Sequence, residues 1–304
     1  MWVHHGASGI EARTPAKLNL LFEVHGRRDD GYHEIETLMV PVSLFDSLSF
    51  RPVPANADGP GPISLDCRWA SIAQSPSLPS PEKNLAFRAV DLLRRRAGIE
   101  AGAEIRLIKR IPLESGLGGG SSDAAAALVA ANLGWGLNWD QPRLAAVAAE
   151  LGSDVPFFLY GGAAICRGRG ERVEPVACPA SLHAVIVRPP VGLSTAEVYG
   201  RCRAGAQRGG AVALCHALRQ GSITAVGKQM HNGLQSAAAE LSPWVDRLAS
   251  ELRRIGCLAH QLTGSGSSYF GLFRSASAAR RGAAQLAARH LGKVFVVRQV
   301  ASPN

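Results

Sequence analysis

The segment from Arg110 to Leu133, RIPLESGLGGGSSDAAAALVAANL, constrains this chain more than any other. A proline is followed by Gly116, Gly118, Gly119 and Gly120, then by Ser121 and Ser122, and the chain runs on into alanines and leucines that favour a helix. The first turn of a helix leaves N–H groups unpaired and carries the positive end of the macrodipole, while glycine lets the backbone curl closely around an anion. The segment is therefore either a phosphate cradle or a glycine-rich turn that caps a helix. Four glycines and two serines within Gly116–Ser122 cost conformational entropy that a plain cap does not require, which favours the cradle. No Lys-Ser or Lys-Thr pair closes a GxxxxGK[ST] pattern, and Gly116, Gly118 and then Ser121 miss GxGxxG by one residue.

A chain of 304 residues can hold two domains, and 46% hydrophobic with 19% charged residues fits a globular protein. No apolar run reaches the length of a membrane span, and MWVHHGASGIEARTPAK lacks the pattern of a signal peptide, so a cytoplasmic protein without a membrane partner is expected. The six cysteines show no CxxC pair and no neighbouring histidines at metal spacing; they are expected to be reduced and mostly buried. A net charge of +9 raises the question of nucleic acid, but Arg94–Arg96 and Arg167, Arg169 and Arg172 come without interleaved aromatics or a nucleic-acid motif. The same charge would attract a polyanionic small substrate, and charge alone does not decide between the two. The sequence sets no oligomeric state.

Along the chain, Ile10–Val24 reads as a strand with Leu18 and Leu20 on one side and Lys17 and Asn19 on the other, odd residues for a core face. An Arg-, Asp- and Gly-rich turn then brings Tyr32 and His33 to the start of an alternating strand. Residues 51–62 and 73–83 read as loops around a short strand, ISLDC. Helical spacing runs from Asn84 to Arg96, strand character from Ala103 to Ile111, and a further helix from Gln141 to Glu150. Asp154, between Gly152-Ser153 and VPFFLY, either caps a helix or is a carboxylate poised to accept a proton. Beyond Pro179 come a strand at LHAVIVRPP, a helix capped by Ser194 or Thr195, a connector RAGAQRGG, a helix in PWVDRLASELRRIG, a strand–turn–strand around Thr263–Ser267, a helix from Ala278, and a last strand VFVVRQV. The Thr263–Ser267 turn is either a plain hairpin or a second contact with phosphate or substrate. This pattern predicts an α+β fold with mixed or antiparallel sheets covered by helices, in two domains, 1–180 and 181–304.

PLESGLGGGSSDAA, GSDVPFF and LTGSGSSYFGLF, in this order, resemble the three motifs of the GHMP kinases, and the likeness runs from Thr14 to Phe273. The resemblance implies the two-domain fold of that family with the active site in the cleft between domains, and ATP with Mg²⁺ as cofactors. It implies that Pro112, Gly116, Leu117, Gly118, Gly119, Gly120, Ser121 and Ser122 hold the triphosphate, that Asp154 is the catalytic base, and that Lys17 stands beside it and steadies charge on the transferred group. Lys109 is either an adenine or triphosphate contact or a solvated strand-end lysine. For Mg²⁺ the protein ligand is Ser122 or, as a weaker candidate, Glu114.

DGYHE is the feature that discriminates within the family. It resembles the branch whose acceptor is a cytidine-diphosphate-linked methylerythritol, phosphorylated on its 2-hydroxyl on the non-mevalonate route to isoprenoids. Carried over, Asn19 contacts the methylerythritol, His33 hydrogen-bonds cytosine, Tyr32 and Tyr199 stack on it, and Thr195 lines the pocket with the turn Gly264, Ser265 and Gly266. Two other readings stay open: a GHMP kinase for homoserine, mevalonate or a sugar, and a non-catalytic basic protein that binds nucleic acid.

Overall fold

The computed structural model describes residues 1–6, 9–71, 76–178, 181–203 and 210–300. Its N-terminal half is framed by long antiparallel strands: β1 (Trp2–Gly6), β2 (Gly9–Arg27) and β3 (His33–Val53). Next come β4 (Ile63–Trp69), α1 (Leu85–Ala97), β5 (Gly102–Lys109), α2 (Gly119–Gly134), α3 (Gln141–Leu151), α4 (Val155–Leu159), β6 (Ala164–Gly168) and β7 (Arg172–Pro175). In this sheet the order is β1-β2-β3-β5-β4, with β6 pairing β3 and β7; β4 and β5 run parallel. Residues 51–53 belong to β3 rather than to the expected loop, because Arg51, Pro52 and Val53 pair with Glu104, Ala103 and Gly102.

Alternation fails in the middle of β2, where Thr14–Val24 are buried on both faces. Helix α2 covers one face, and the C-terminal half covers the other. Because α2 is apolar all round, it packs as a central rod, and Ala124–Ala127, Ala130 and Ala131 let its neighbours approach closely. By contrast α1 is one-sided: Asn84 caps it by accepting from the Ala86 amide, left-handed Gly98 ends it, and its last-turn arginines complement the dipole. Arg94 and Arg95 pair with Asp91 and Arg96 with Glu150, so that cluster is locally matched.

The C-terminal half contains β8 (His183–Arg188), α5 (Thr195–Arg201), α6 (Gly210–Arg219), α7 (Ile223–Gln229), β9 (His231–Asn232), α8 (Gln235–Leu241), α9 (Trp244–Arg254), β10 (Ala259–Leu262), β11 (Tyr269–Phe273), α10 (Ala276–Ala287) and β12 (Lys293–Arg298). Its sheet, β10-β11-β8-β12, is antiparallel throughout. Of the two candidate caps for α5, Ser194 is the one whose side chain accepts from the Glu197 amide. The expected boundary at residue 180 and most of the connector fall outside the described residues. The halves interlock: β9 pairs in parallel with β2, and one core cluster joins Leu18 and Leu20 to Ile186, Leu214 and Phe270. Among the described residues no helix is long and apolar enough to cross a membrane. All six cysteines are thiols, as expected, but only Cys166 and Cys215 are fully buried, fewer than expected.

Candidate active site

Helix α2 starts directly from the glycine loop. Gly118 is its N-cap in a left-handed conformation (φ 70°), and Gly116 has φ 73°. A Cβ on Gly116 would overlap the Thr263 carbonyl oxygen, so only glycine lets this loop touch the second glycine turn. The Lys17 amide donates to the Leu117 carbonyl at 2.9 Å, which clips β2 to the loop. Gly116, Gly118 and Ser121 then line a cleft of about 1420 Å³ whose other walls are the Tyr32–His33 turn, the start of α5 and Gly264–Gly266.

Lys17 enters this cleft from β2, only 3% exposed. Its ammonium donates to Asn19 Oδ1 at 2.6 Å and lies 3.4 Å from the Asp154 carboxylate. Asn19 is fixed in turn: its amide donates to Thr37 Oγ1 at 2.8 Å, the Thr37 hydroxyl donates to the Leu21 carbonyl, and Thr263 Oγ1 donates to Asn19 Oδ1 at 3.1 Å. These bonds orient the lysine before any ligand arrives. Asp154 occupies the N-cap position of α4 yet makes no capping hydrogen bond. Its carboxylate faces Lys17 and is one-third open to the cleft (33% exposed).

In the same cleft, the His33 and Tyr199 rings lie with centroids 5.0 Å apart and planes tilted by 34°. The turn that presents His33 is tied by Arg28, which bridges Asp30 and Glu34, and by the Tyr32 amide donating to Asp30. Partial burial, with a smaller push from Arg27, holds the His33 imidazolium below the usual histidine range. Tyr32 forms the outer wall with Arg169 stacked 4.7 Å from its ring centroid. Thr195 and Ser265 share a hydroxyl–hydroxyl hydrogen bond of 2.9 Å, which joins α5 to the second glycine turn.

Residues 84–162 match the model of the GHMP kinases N terminal domain and residues 214–292 that of the GHMP kinases C terminal domain. The 4-diphosphocytidyl-2-C-methyl-D-erythritol kinase of Pelotomaculum thermopropionicum is 43% identical over 279 residues, 91% of this chain and 93% of that protein. The chain belongs to the GHMP kinase family. A kinase of the same name from Shouchella clausii is 38% identical over 88% of this chain and 87% of its own length. A crystal structure of 4-(cytidine 5'-diphospho)-2C-methyl-D-erythritol kinase superposes with a TM-score of 0.78 at 36% identity, covering 96% of this chain and all (100%) of that one. Homoserine kinase from Cytophaga hutchinsonii shares the fold with a TM-score of 0.73 at 24% identity, covering 99% of this chain and 98% of that chain.

Within this GHMP kinase cleft, Lys17, Tyr32, His33, Gly116, Gly118, Ser121, Asp154, Thr195, Tyr199, Gly264, Ser265 and Gly266 come together. Several residues expected there do not reach it. Asn19 is fully buried, and its side-chain amide bonds to Lys17, Thr37 and Thr263 and so holds the lysine. Lys109 is neither a solvated strand end nor a cleft residue. Its ammonium is buried behind the loop, donating to Asp46 and, at 2.5 Å, to Asp123. Pro112, Leu117, Gly119, Gly120 and Ser122 shape the loop from behind or beside it and do not line the cleft.

The buried Asp46–Lys109–Asp123 cluster escaped sequence reasoning. Asp46 accepts from the Arg110 and Ile111 amides, and Asp123 accepts from Thr14 Oγ1 at 2.8 Å, so the cluster ties β3, β5 and the first turn of α2 together. One ammonium serves two carboxylates. Burial drives the Asp123 carboxyl upward against the pull of Lys109, while the two carboxylates outweigh burial and raise the lysine. A carboxylate standing alone in the alanine run of α2 was the available signal. Arg169 was visible only as part of a basic cluster, and nothing in the sequence turns it into the cleft.

For a metal, the described residues hold no group of three His, Cys, Asp or Glu side chains. What the loop offers is the Glu114 carboxylate on the cleft wall and the buried Ser122 hydroxyl, which has no hydrogen-bond partner. One or two protein oxygens suit Mg²⁺, which takes its remaining ligands from phosphate and water.

Proposed function

We propose that this protein is the ATP-dependent kinase that phosphorylates the 2-hydroxyl of 4-diphosphocytidyl-2-C-methyl-D-erythritol, on the non-mevalonate route to isoprenoids. The observation that carries this reading is one continuous cleft that joins the Lys17–Asp154 pair beside the glycine loop to the His33–Tyr199 ring pair. Relatives bearing that kinase name over about nine tenths of the chain support it.

In this mechanism the triphosphate lies against Gly116, Gly118 and Ser121 at the N-terminus of α2, where unpaired amides and the helix dipole favour its charge. Asp154 takes the proton of the acceptor hydroxyl as its oxygen bonds to the γ-phosphorus and the bond to the β-phosphate oxygen breaks, releasing ADP. Lys17, held by Asn19, orients the Asp154 carboxylate and donates to the charge that builds on the transferred phosphoryl. When bound, Mg²⁺ would offset the negative charge of the phosphates, with Glu114 on the cleft wall as the residue that would hold it. Positioning is the main source of acceleration, and the interlocked halves provide it.

At the other end, His33 hydrogen-bonds the cytosine, and Tyr32 and Tyr199 enclose the base. Thr195, Gly264, Ser265 and Gly266 close the pocket between α5 and the second glycine turn. The chain divides near residue 180 into an ATP-binding half and a C-terminal half, and the enzyme works in the cytoplasm on small molecules, without nucleic acid.

The test is purified protein with ATP and Mg²⁺ against a panel of alcohols. Phosphate transfer to the cytidyl acceptor, and none to homoserine, mevalonate or free sugars, is expected. Turnover of one of those alcohols with the cytidyl acceptor inert would overturn the assignment.

A further inference from the structure

We propose that Arg169 grips the diphosphate of the acceptor and so determines specificity for a cytidine diphosphate over a bare cytidine. The inference rests on the function proposed above and adds a specificity residue to it. A substrate with a base at one end, a reacting alcohol at the other and a diphosphate between must place two phosphates midway along the cleft. Among the described residues, Lys17, Arg27 and Arg169 are the cations that line it. Lys17 is held by Asn19 and Asp154, and Arg27 stands exposed at the outer end of β2, opposite His33 in register.

Arg169 belongs to a turn that touches both Tyr32 and Asp154. It sits in the turn between β6 and β7, with its guanidinium over Tyr32, while the next residue, Gly170, packs on Ser153 and Asp154; a Cβ there would lie 3.7 Å from Asp154 Oδ1. One turn thus spans the base end and the reacting end. Its neighbours in the same basic cluster are already neutralised: Arg167 pairs with Glu36 and Glu174, and Arg172 with Glu34. Arg169 is different. Glu171 comes no nearer than 4.0 Å to its Nε, and that carboxylate oxygen accepts the Arg169 backbone amide instead at 2.6 Å. A single long bond of 3.4 Å runs from Nη2 to the Ala149 carbonyl, which leaves the rest of the fork for an anion. A planar guanidinium matches phosphate oxygens bidentately, and at 27% exposure it is shielded from solvent more than Arg27 is.

The experiment compares wild type, Arg169→Met, which keeps the stem over Tyr32, and Arg169→Lys. Calorimetry with CDP and with cytidine, both with ADP saturating the nucleotide loop, is paired with KM values for acceptor and ATP. Wild type should prefer CDP over cytidine by roughly tenfold or more, the worth of one charge-assisted phosphate contact. Arg169→Met should erase that preference while cytidine affinity stays within about twofold, Arg169→Lys should recover part of it, and the KM for ATP should hold. A CDP preference that survives in Arg169→Met, or an equal loss for CDP and cytidine, overturns the role of Arg169 even if wild type turns over the acceptor. Absence of turnover in wild type would defeat the proposed function, and the CDP-to-cytidine ratio would still decide Arg169. Should Arg169→Met not fold, Arg169→Gln takes its place: loss of the CDP preference with cytidine affinity kept supports the contact, and a preference that survives overturns it.

Discussion

The Lys17 ammonium and the Asp154 carboxylate, from the first long strand and from the approach to a short helix, stand 3.4 Å apart beside the glycine loop. The carboxylate is one-third exposed while the lysine is buried, so the pair presents an acceptor for a proton on the cleft side and a fixed cation behind it. Asp154→Asn keeps the shape and removes the base. Its kcat should fall by roughly 10² to 10⁴, with the KM for ATP little changed. Full activity of that variant in a steady-state assay would remove Asp154 from the role of base.

His33 yields a pH prediction. Burial and Arg27 hold its imidazolium below the ordinary range near 6.5, so the ring is neutral at pH 7 and above and gains a proton only on the acid side of that range. With the neutral ring as the cytosine-binding form, the KM for the cytidyl acceptor should be flat from about pH 7 to 8 and rise on acidification, while the KM for ATP shows no such limb. In His33→Ala the acceptor KM should be raised throughout and the acid limb lost. An acid limb that persists in this variant would point to another group.

The glycine loop separates two effects of substitution. Gly116→Ala forces an L side chain to φ 73° and drives its Cβ into the Thr263 carbonyl, so the loop must move away from the second glycine turn. Strain of roughly 1–3 kcal/mol is expected together with a KM for ATP raised about tenfold or more. Gly98→Ala is the control: φ is 64° but open space surrounds the position, so stability should drop by about 1 kcal/mol and the KM for ATP should stay put. Equal behaviour of the two variants toward ATP would argue against the cradle.

Behind the loop, Lys109→Met strands Asp46 and Asp123 without their shared cation. Breaking a buried pair in this way should cost roughly 3–5 kcal/mol, read as a lower midpoint in urea unfolding. Lys109→Met/Asp123→Asn should recover part of that loss, because one of the two uncompensated carboxylates is gone. A double variant no more stable than the single one would mean that the cluster's charges are not what holds it.

Much of the site was open to sequence reasoning because its residues are chemically out of place: glycines before a helix, a lysine and an asparagine on a strand's core face, an aspartate ahead of an apolar run. The same logic does not say where Lys109 and Asn19 find their partners. Residue type says that a polar side chain on a core face needs a partner, but it does not say whether the partner is a ligand or another buried group. Here Asp46, Asp123, Thr37 and Thr263 fill that need from elsewhere in the chain.

By itself the sequence determined the local facts: most of the helices and strands, where the glycine loop lies, and which residue types are available for phosphoryl transfer, since periodicity, caps and glycine torsions are short-range properties. Only the tertiary structure decided that β2 is buried on both faces, that β9 returns to pair with it, that Arg169 turns inward while Arg167 and Arg172 are spent on glutamates, and that Lys17 meets Asp154. Those outcomes depend on which distant surfaces bury one another, and no local pattern encodes that.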